Sequence, residues 1–451
     1  MLAVVVSRAD RASEHIGEQL LAAADWTTHE DTGRPDAEGG GSYHRTESGD
    51  GAAIELRTFD ALHLDLVDPA AAFDDPDWLA FASRHSGETG PLLSVHATGN
   101  FGPAEYGGAA GELAEHAPNA LARLLAALDE HAPDGYGTAI ECTHHGPSSV
   151  GCPSVFVEVG SGESQWDDPA AAAAAARAIL DCAGADPRRE RTVVGFGGGH
   201  YAPRFERVLR ETDWAVGHVG ADWGLDAMGD PREDPRARET VRRAFERSGA
   251  SRALIDGDRP AVEAAVEDFG YRVVSETWLR ETTGVPLPFV SAVEDALGPV
   301  EEGLRFGAGA AGHAGGFETA ALPSALLDEA VGIDREAVRE AVHERALAYD
   351  TTEGGTRVAG PVAIRDPGDR DALIDALAGV LRARYDEVGR EDGAVVARET
   401  AFDPDRARAL GVPEGPAFGR LADGEAVEVD GETVDPADVR VERDRRFPVS
   451  E

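Results

Sequence analysis

Thr138-Ala139-Ile140-Glu141-Cys142-Thr143-His144-His145-Gly146-Pro147 is the stretch on which the reading of this chain turns. A short apolar run ends in an acid, two adjacent histidines and a Gly-Pro turn, so a buried strand presents polar groups at its tip. Ser154-Val155-Phe156-Val157-Glu158-Val159 repeats the pattern with one carboxylate, and Gly160-Ser161-Gly162-Glu163 and Trp166 follow it. Working outward, further strands are predicted at 1–6, 53–59, 62–67, 92–95, 191–196 and 271–274. Helices are predicted over 12–24, 78–84, 109–130, 169–183, 203–212 and 235–247, with a polar, glycine-rich connection over 29–52. Short apolar strands alternating with helices imply an α/β domain built on a largely parallel sheet.

Beyond Leu287-Pro288 the texture changes. A glycine-rich stretch over 303–316 precedes amphipathic helices at 324–349 and 371–388. The last forty residues alternate short strands with turns, and Asp430-Gly431 is a hairpin signal. The expected organisation is a catalytic domain over 1–290 and a smaller C-terminal α+β module over 291–451. Within that module, 322–390 is expected to be helical and 405–445 rich in β-hairpins.

Eighty-four acidic residues against 42 basic ones give a formal charge of -42 in 451 residues, and because lysine does not occur, every basic residue is arginine. At molar salt the Debye length contracts to about 3 Å, so such a surface stays hydrated without long-range self-repulsion. The acids are spread among well-patterned apolar segments, which points to a folded protein adapted to a salty cytoplasm and not to a disordered acidic tail. Three cysteines, Cys142, Cys152 and Cys182, are too few for a disulfide framework in a chain of this length. The N-terminus lacks the basic flank and cleavage site of a signal peptide, and the longest apolar run, 170–176, is too short to span a bilayer. A soluble cytoplasmic protein without membrane partners, and a monomer, is expected.

The polar clusters fall mostly just after predicted strands, where α/β folds place their sites. His96 opens His96-Ala97-Thr98-Gly99-Asn100-Phe101-Gly102; Glu141, His144 and His145 follow one strand; Glu158 and Glu163 bracket the end of another; His200 closes Gly195-Phe196-Gly197-Gly198-Gly199-His200; and His218 lies in Val216-Gly217-His218-Val219-Gly220. A hydrolytic zinc ion needs about three nitrogen or oxygen ligands and one open position. Any one of these histidines alone reads more naturally as a polar strand end, but four in matching topological positions favour ligation. Neighbouring strand residues face opposite ways, so His144 and His145 reach one site only if the chain has already entered a loop there. One of the pair is otherwise a hydrogen-bonding support.

The Gly197-Gly198-Gly199 loop precedes a helix beginning at Pro203 and is either an anion cradle or a tight turn. Its spacing fits neither a dinucleotide fingerprint nor a P-loop. Ser7, Arg8 and Asp10 follow the first strand and either face the same cleft or form a surface loop. No Gly-x-Ser-x-Gly, His-Glu-x-x-His or Cys-x-x-Cys occurs, which disfavours α/β serine hydrolases, zincins and zinc ribbons. Cys142 is read as a small core residue more than as a nucleophile.

Taken together, Ser7-Arg8-Ala9-Asp10, Ser83-Arg84-His85, the His96 to Asn100 segment, Glu141 to Pro147, Glu158 to Glu163 with Trp166, and Gly195 to Phe205 resemble the archaeal and plant-type D-aminoacyl-tRNA deacylases in order and spacing over about the first 280 residues. The resemblance implies a three-layer α/β/α fold with a mixed sheet, like that of the phosphorylase and peptide-hydrolase group. It also implies hydrolysis of the ester between a D-amino acid and the 3′ end of tRNA, and a pair of zinc ions per chain. From the chemistry of the residues, and not from the family pattern, His144, His200 and Glu158 are expected to be the leading metal ligands, His96 and His145 the next, and Glu141 or Glu163 the general base. Ser7, Arg8, Asp10, Arg84, Thr98, Asn100, Gly197, Gly198, Gly199 and Arg204 are expected to contact the substrate or its tRNA. The chain runs on for some 160 residues past the point where members of that family commonly stop. Within this extension Leu410 to Leu421, Gly424, Asp430-Gly431 and Val434 to Val439 are similar to a segment of ribonuclease Z, so 405–442 is expected either to help hold tRNA or to be a stabilising module. The competing readings are a zinc peptidase or amidase on a related fold and a non-catalytic RNA-binding protein whose histidines are structural.

Overall fold

The structure, a computed structural model, describes residues 1–49 and 51–449 and divides into two compact units, Met1–Arg280 and Glu281–Glu451. The first unit is built on an eight-stranded mixed sheet formed by β1 (Leu2–Ser7), β2 (Thr27–Asp31), β3 (Gly41–Glu47), β4 (Ala53–Phe59), β5 (Trp78–Arg84), β6 (Leu92–His96), β7 (Gly137–Ile140) and β8 (Ser154–Gly160). Their order across the sheet is β2-β3-β4-β1-β5-β8-β6-β7, with the four central strands β4, β1, β5 and β8 parallel. β6 runs antiparallel to β8.

Both faces of this sheet are covered. Helices Arg11–Ala23, Pro118–His131 and Pro169–Asp181 pack on one another and on the face that carries Val6. Against the opposite face, Ala3, Val5, Leu79, Phe81 and Phe156 form a core with Ala70, Phe73, Val150 and Cys152 from irregular segments. Strands buried on two sides read as continuous apolar runs and carry no alternation.

Several local expectations are corrected by this burial. Residues 78–84, predicted helical, form β5 between β1 and β8, because Trp-Leu-Ala-Phe-Ala packs on both faces and its periodicity cannot separate strand from helix. Residues 62–67, predicted as a strand, turn instead through a short 3-10 helix at His63–Asp65. The connection predicted over 29–52 contains most of the edge hairpin β2–β3, whose largely exposed, polar residues give no apolar signal. The helix predicted from 109 begins only at Pro118, where proline occupies the favoured first turn.

A second, four-stranded parallel sheet holds β9 (Thr192–Gly197), β10 (Ala215–Gly220), β11 (Arg252–Asp256) and β12 (Arg272–Val273) in the order β10-β9-β11-β12. The strands β10 and β11 were not among those predicted. Two backbone bonds tie this sheet to the first just past β7: Cys142 N–H donates to His200 O at 2.8 Å, and Thr143 N–H to Val219 O at 2.8 Å. The two sheets therefore meet at the segment from which the sequence reading began.

In the second unit the helix predicted over 324–349 is split. Helices Ser324–Ile333 and Arg335–Arg345 meet at Asp334, whose carboxylate caps the second, and residues 348–352 are a strand. Helix Pro367–Leu381 ends before the predicted limit of 388, and Glu387–Glu391 begins a three-stranded antiparallel sheet with Ala394–Phe402 and Arg440–Pro448. Asp430-Gly431 turns the hairpin Val427–Val429 with Glu432–Val434. That hairpin shares a small core of its own with Ala407, Val412, Leu421 and Val439.

Candidate metal centre

His96, Glu158 and Phe156 lie on one face of the eight-stranded sheet, set by the pairings His96↔Phe156 and Ser94↔Glu158. The His96 ring stacks on Phe156, centroids 5.0 Å apart, and is fully buried. Glu141 enters from the residue after β7, its amide donating to Val95 O at 3.1 Å. Past it the chain leaves the sheet, which frees His144 and His145 from alternation and lets both rings turn inward. Their centroids are 4.5 Å apart, and each lies under 5 Å from His96. His200 arrives from the loop after β9, 4.5 Å from His144.

Three of these imidazoles are held the same way. Nδ1 of His96, His144 and His145 donates to the carbonyls of Ala97, Cys142 and Gly146 at 2.9, 2.8 and 2.7 Å. A backbone acceptor on Nδ1 places the proton there and leaves Nε2 as a lone pair, the tautomer of a metal ligand. The ligand atoms of His96, His144 and His145 all lie within 4.8 Å of one another. Glu158 Oε1 stands 3.5 Å from His96 Nε2 and 3.8 Å from His145 Nε2.

Two observations test whether these residues fit zinc. His96 Nε2 is buried without a hydrogen-bond partner, which is costly unless something else satisfies it. Zinc bonds of about 2.0–2.1 Å in tetrahedral array separate neighbouring ligand atoms by about 3.3 Å, near the 3.5 and 3.8 Å spacings and longer than an ordinary hydrogen bond. The donor set fits.

A second set adjoins it. Glu141 Oε2 accepts from His200 Nε2 at 2.7 Å and lies 3.5 Å from His85 Nε2. His85, His200 and Glu141 form a cluster whose ligand atoms also lie within 4.8 Å. The Ser161 hydroxyl donates to Gly90 O, so toward His85 Nδ1, 3.1 Å away, it acts as acceptor, and His85 Nε2 is again the lone-pair nitrogen. Gly160 makes room for that ring, since a Cβ there would sit 2.5 Å from His85 Cβ. Tyr201 Oη is 3.1 Å from His85 Nε2.

Sequence reasoning missed His85 as a site residue because it follows β5, the strand read as a helix. The signal that places it is the same strand-end position that picked out the others.

Burial pushes both carboxyls up, but the surrounding imidazoles outweigh it. The His200 hydrogen bond with His96 and His144 nearby holds Glu141, and His145 with His96 holds Glu158, below the usual carboxylate range. Burial lowers His96 too, yet Glu158 more than reverses it; for His144, burial and the neighbouring His145 and His96 favour the neutral ring. Burial drives the Cys142 thiol up to about 12, and it stays protonated and unreactive.

The remaining expected residues are spread around this centre. Glu163 is exposed in the first turn of Glu163–Trp166 and makes no side-chain bond to the histidines among the described residues. Thr98 Oγ1 donates to the His145 and Pro147 carbonyls, and Asn100 Nδ2 to Gly107 O, so both brace the loop that carries His145. Asp10 caps helix Arg11–Ala23 and accepts from Arg84 N–H at 3.1 Å, while Ser7 Oγ donates to Ala61 O. Arg8 pairs with Asp60 and Asp36, Arg204 with Asp256 and Glu276, and the Arg84 guanidinium lies over Trp166. Gly197, at φ 105°, allows the close approach of Asp256 O, which a Cβ would meet at 1.9 Å. Gly198 N–H donates to the Asp222 carboxylate and Gly199 continues the turn into His200, so the loop delivers a ligand and its Gly198 amide is already engaged.

A family model described as D-aminoacyl-tRNA deacylase matches residues 72–274, a span holding every residue of both clusters. The chain is 58% identical to a D-aminoacyl-tRNA deacylase of Natronomonas pharaonis, over 99% of this chain and 100% of that one. It is 53% identical to that of Haloarcula marismortui over 99% and 100%, and 34% identical to that of Methanoregula boonei over 83% and 86%. The first two matches, from halophilic archaea, run through the C-terminal unit. A crystal structure described as a conserved protein of unknown function superposes with a TM-score of 0.55 at 29% identity, covering 63% of this chain and 98% of the other. With identity above half sustained along almost its whole length, the chain belongs to the D-aminoacyl-tRNA deacylase family.

Proposed function

We propose that this protein hydrolyses the ester bond of D-aminoacyl-tRNA, releasing the D-amino acid and free tRNA, in the cytoplasm and as a monomer. The observation that carries the reading is the convergence of lone-pair Nε2 atoms on two buried carboxylates in a chain of this family. His96, His145 and Glu158, with His144 beside them, would hold one zinc ion; His85, His200 and Glu141 would hold a second. Zinc in such a site supplies a Lewis acid for the ester carbonyl and a water whose pKa is lowered toward about 7.

The protein's own groups do the rest. Glu141 is the general base: its carboxylate is held ionised, His200 fixes Oε2 at 2.7 Å, and Oε1 is left free to take the proton of the attacking water. The exposed position of Glu163 removes the reason to assign it that role. Tyr201, whose Oη lies 3.1 Å from His85 Nε2, would donate its proton to the departing ribose oxygen. Thr98 and Asn100 act by holding the His145 loop, Asp10 by joining the first helix to β5. For residues 405–442 we retain contact with the tRNA body, supported by their likeness to ribonuclease Z and by exposed Arg443 and Arg446 on the adjoining strand.

The test is release of D-tyrosine from D-Tyr-tRNA in molar KCl, before and after exhaustive chelation. Activity should vanish on chelation with the fold intact by circular dichroism, and return with zinc. Full activity in the chelated protein would overturn the metal mechanism. Cleavage of small amides without turnover of D-Tyr-tRNA would instead favour a peptidase or amidase.

A further inference from the structure

We infer that Tyr106 and Trp223 form a stacking platform for the terminal bases of the RNA; this rests on the proposed deacylase reading. Five large hydrophobic side chains are exposed among the described residues, and two are aromatic: Tyr106 at 63% and Trp223 at 51%. Neither ring has a hydrogen-bonding, cation–π or aromatic partner among those residues. Elsewhere the indoles of Trp26 and Trp166 donate to Leu20 O and His85 O, and Trp214 packs on Trp278.

Both rings sit on segments tied to the metal centre. Tyr106 O accepts from Gly146 N–H at 2.9 Å, one residue past His145. Trp223 is in helix Asp222–Met228; Asp222 exchanges bonds with Gly198 at 2.9 and 3.2 Å, two residues before His200. The two segments are also packed together, since a Cβ at Gly102 would lie 2.9 Å from Ala227 Cβ. The segment carrying Tyr106 is thus joined to the His145 loop, and the segment carrying Trp223 to the His200 loop.

The ester to be cleaved hangs on the last ribose, so when its carbonyl reaches the centre the terminal base lies beside the centre, within reach of segments joined to its ligand loops. Charge holds it only weakly there. The chain carries -42, Arg8 and Arg204 are consumed by ion pairs, and phosphate contacts weaken steeply with salt. Stacking on an aromatic face is worth about 1–3 kcal/mol per base, tolerates any sequence and does not depend on phosphate charge. It is the form of RNA affinity that survives in molar salt.

The experiment compares wild type, Tyr106→Ala, Trp223→Leu, Trp223→Phe and the Ala/Leu double variant in 1 to 3 M KCl. On D-Tyr-tRNA each truncation should raise KM about tenfold and the double variant up to about a hundredfold, with kcat within twofold and Trp223→Phe close to wild type. The trinucleotide CCA should quench tryptophan fluorescence in wild type, with affinity nearly independent of salt, and not in Trp223→Leu. Unchanged KM in the double variant, or no quenching in wild type, overturns the platform. Quenching by CCA without turnover of D-Tyr-tRNA would leave the platform standing and remove the deacylase reading.

Discussion

Two groups of buried histidines sit in the same unit and behave as opposites. His116 and His218, 5.5 Å apart, resemble His96 in burial and in being hydrogen-bonded to a backbone carbonyl. His218, however, spends both nitrogens inside the protein, Nε2 toward Ala114 O at 2.9 Å and Nδ1 toward Thr143 Oγ1 at 3.1 Å. Burial drives it down to about 3 and His116 to about 4, so both are neutral packing groups. The difference is the carboxylates. At the candidate centre Glu141 and Glu158 are held ionised, and Glu158 faces His96 Nε2, whose lone pair is unspent, which makes a site for a cation. Burial of a histidine is therefore no guide to ligation; what its second nitrogen faces is.

The sharpest way to break this distinction is to exchange the effects of the two groups. His96→Ala or Glu158→Gln should remove one of the two zinc ions, read by mass spectrometry of the native protein, and lower kcat/KM on D-Tyr-tRNA by at least about a thousandfold. His116→Leu should do neither. Glu141→Gln should lower kcat by about 10²–10⁴-fold, the size expected for a general base, and weaken binding of the second zinc ion while leaving the first in place. If Glu158→Gln keeps both zinc and activity, the assignment of the centre fails.

A smaller effect concerns stability. His218→Leu leaves Thr143 Oγ1 and Ala114 O without the imidazole and should cost about 1–3 kcal/mol, read as a lower denaturant midpoint in molar KCl, with normal activity per folded molecule. Loss of zinc in that variant would show that the two groups are not separable.

The last effect is a pH slope, absent near neutrality and growing only below about pH 6.5. Because His116 is depressed to about 4 in the folded state, the unfolded chain takes up a proton below its ordinary value of about 6.5 while the folded chain refuses it. Stability is complete above about pH 6.5 and falls by ~1.4 kcal/mol per pH unit on descending to about 4. Wild type should therefore lose stability faster than His116→Leu over that window. His63, likewise buried and held at about 4, should give the same difference on substitution by leucine. Parallel slopes for wild type and variant would refute neutral burial of that histidine.

Much of the site was legible because a strand-to-loop transition leaves a local mark. An apolar run that ends in Glu-Cys-Thr-His-His-Gly-Pro announces both the strand and the polar groups at its tip, and the same held for His96 and His200. His85 escaped because β5 is apolar on both faces, and seven such residues do not distinguish strand from helix. Asp10 and Thr98 were marked as polar residues near a cleft, but the Asp10 bond to the Arg84 amide and the Thr98 loop brace are relations to partners 74 and 49 positions away. No local pattern encodes those.

Composition and periodicity were enough to establish an acidic, salt-adapted α/β protein with a distinct C-terminal part, and to single out the residue types that hold a cation. These are properties of hydrophobic spacing and total charge, which act locally or as sums. Which nitrogen of each ring is free, which carboxylate faces which histidine, and that Glu163 stays outside required the folded chain. Each depends on hydrogen bonds and side-chain facings between elements far apart in sequence, and only packing the two sheets against each other at Cys142 and Thr143 brings those elements together.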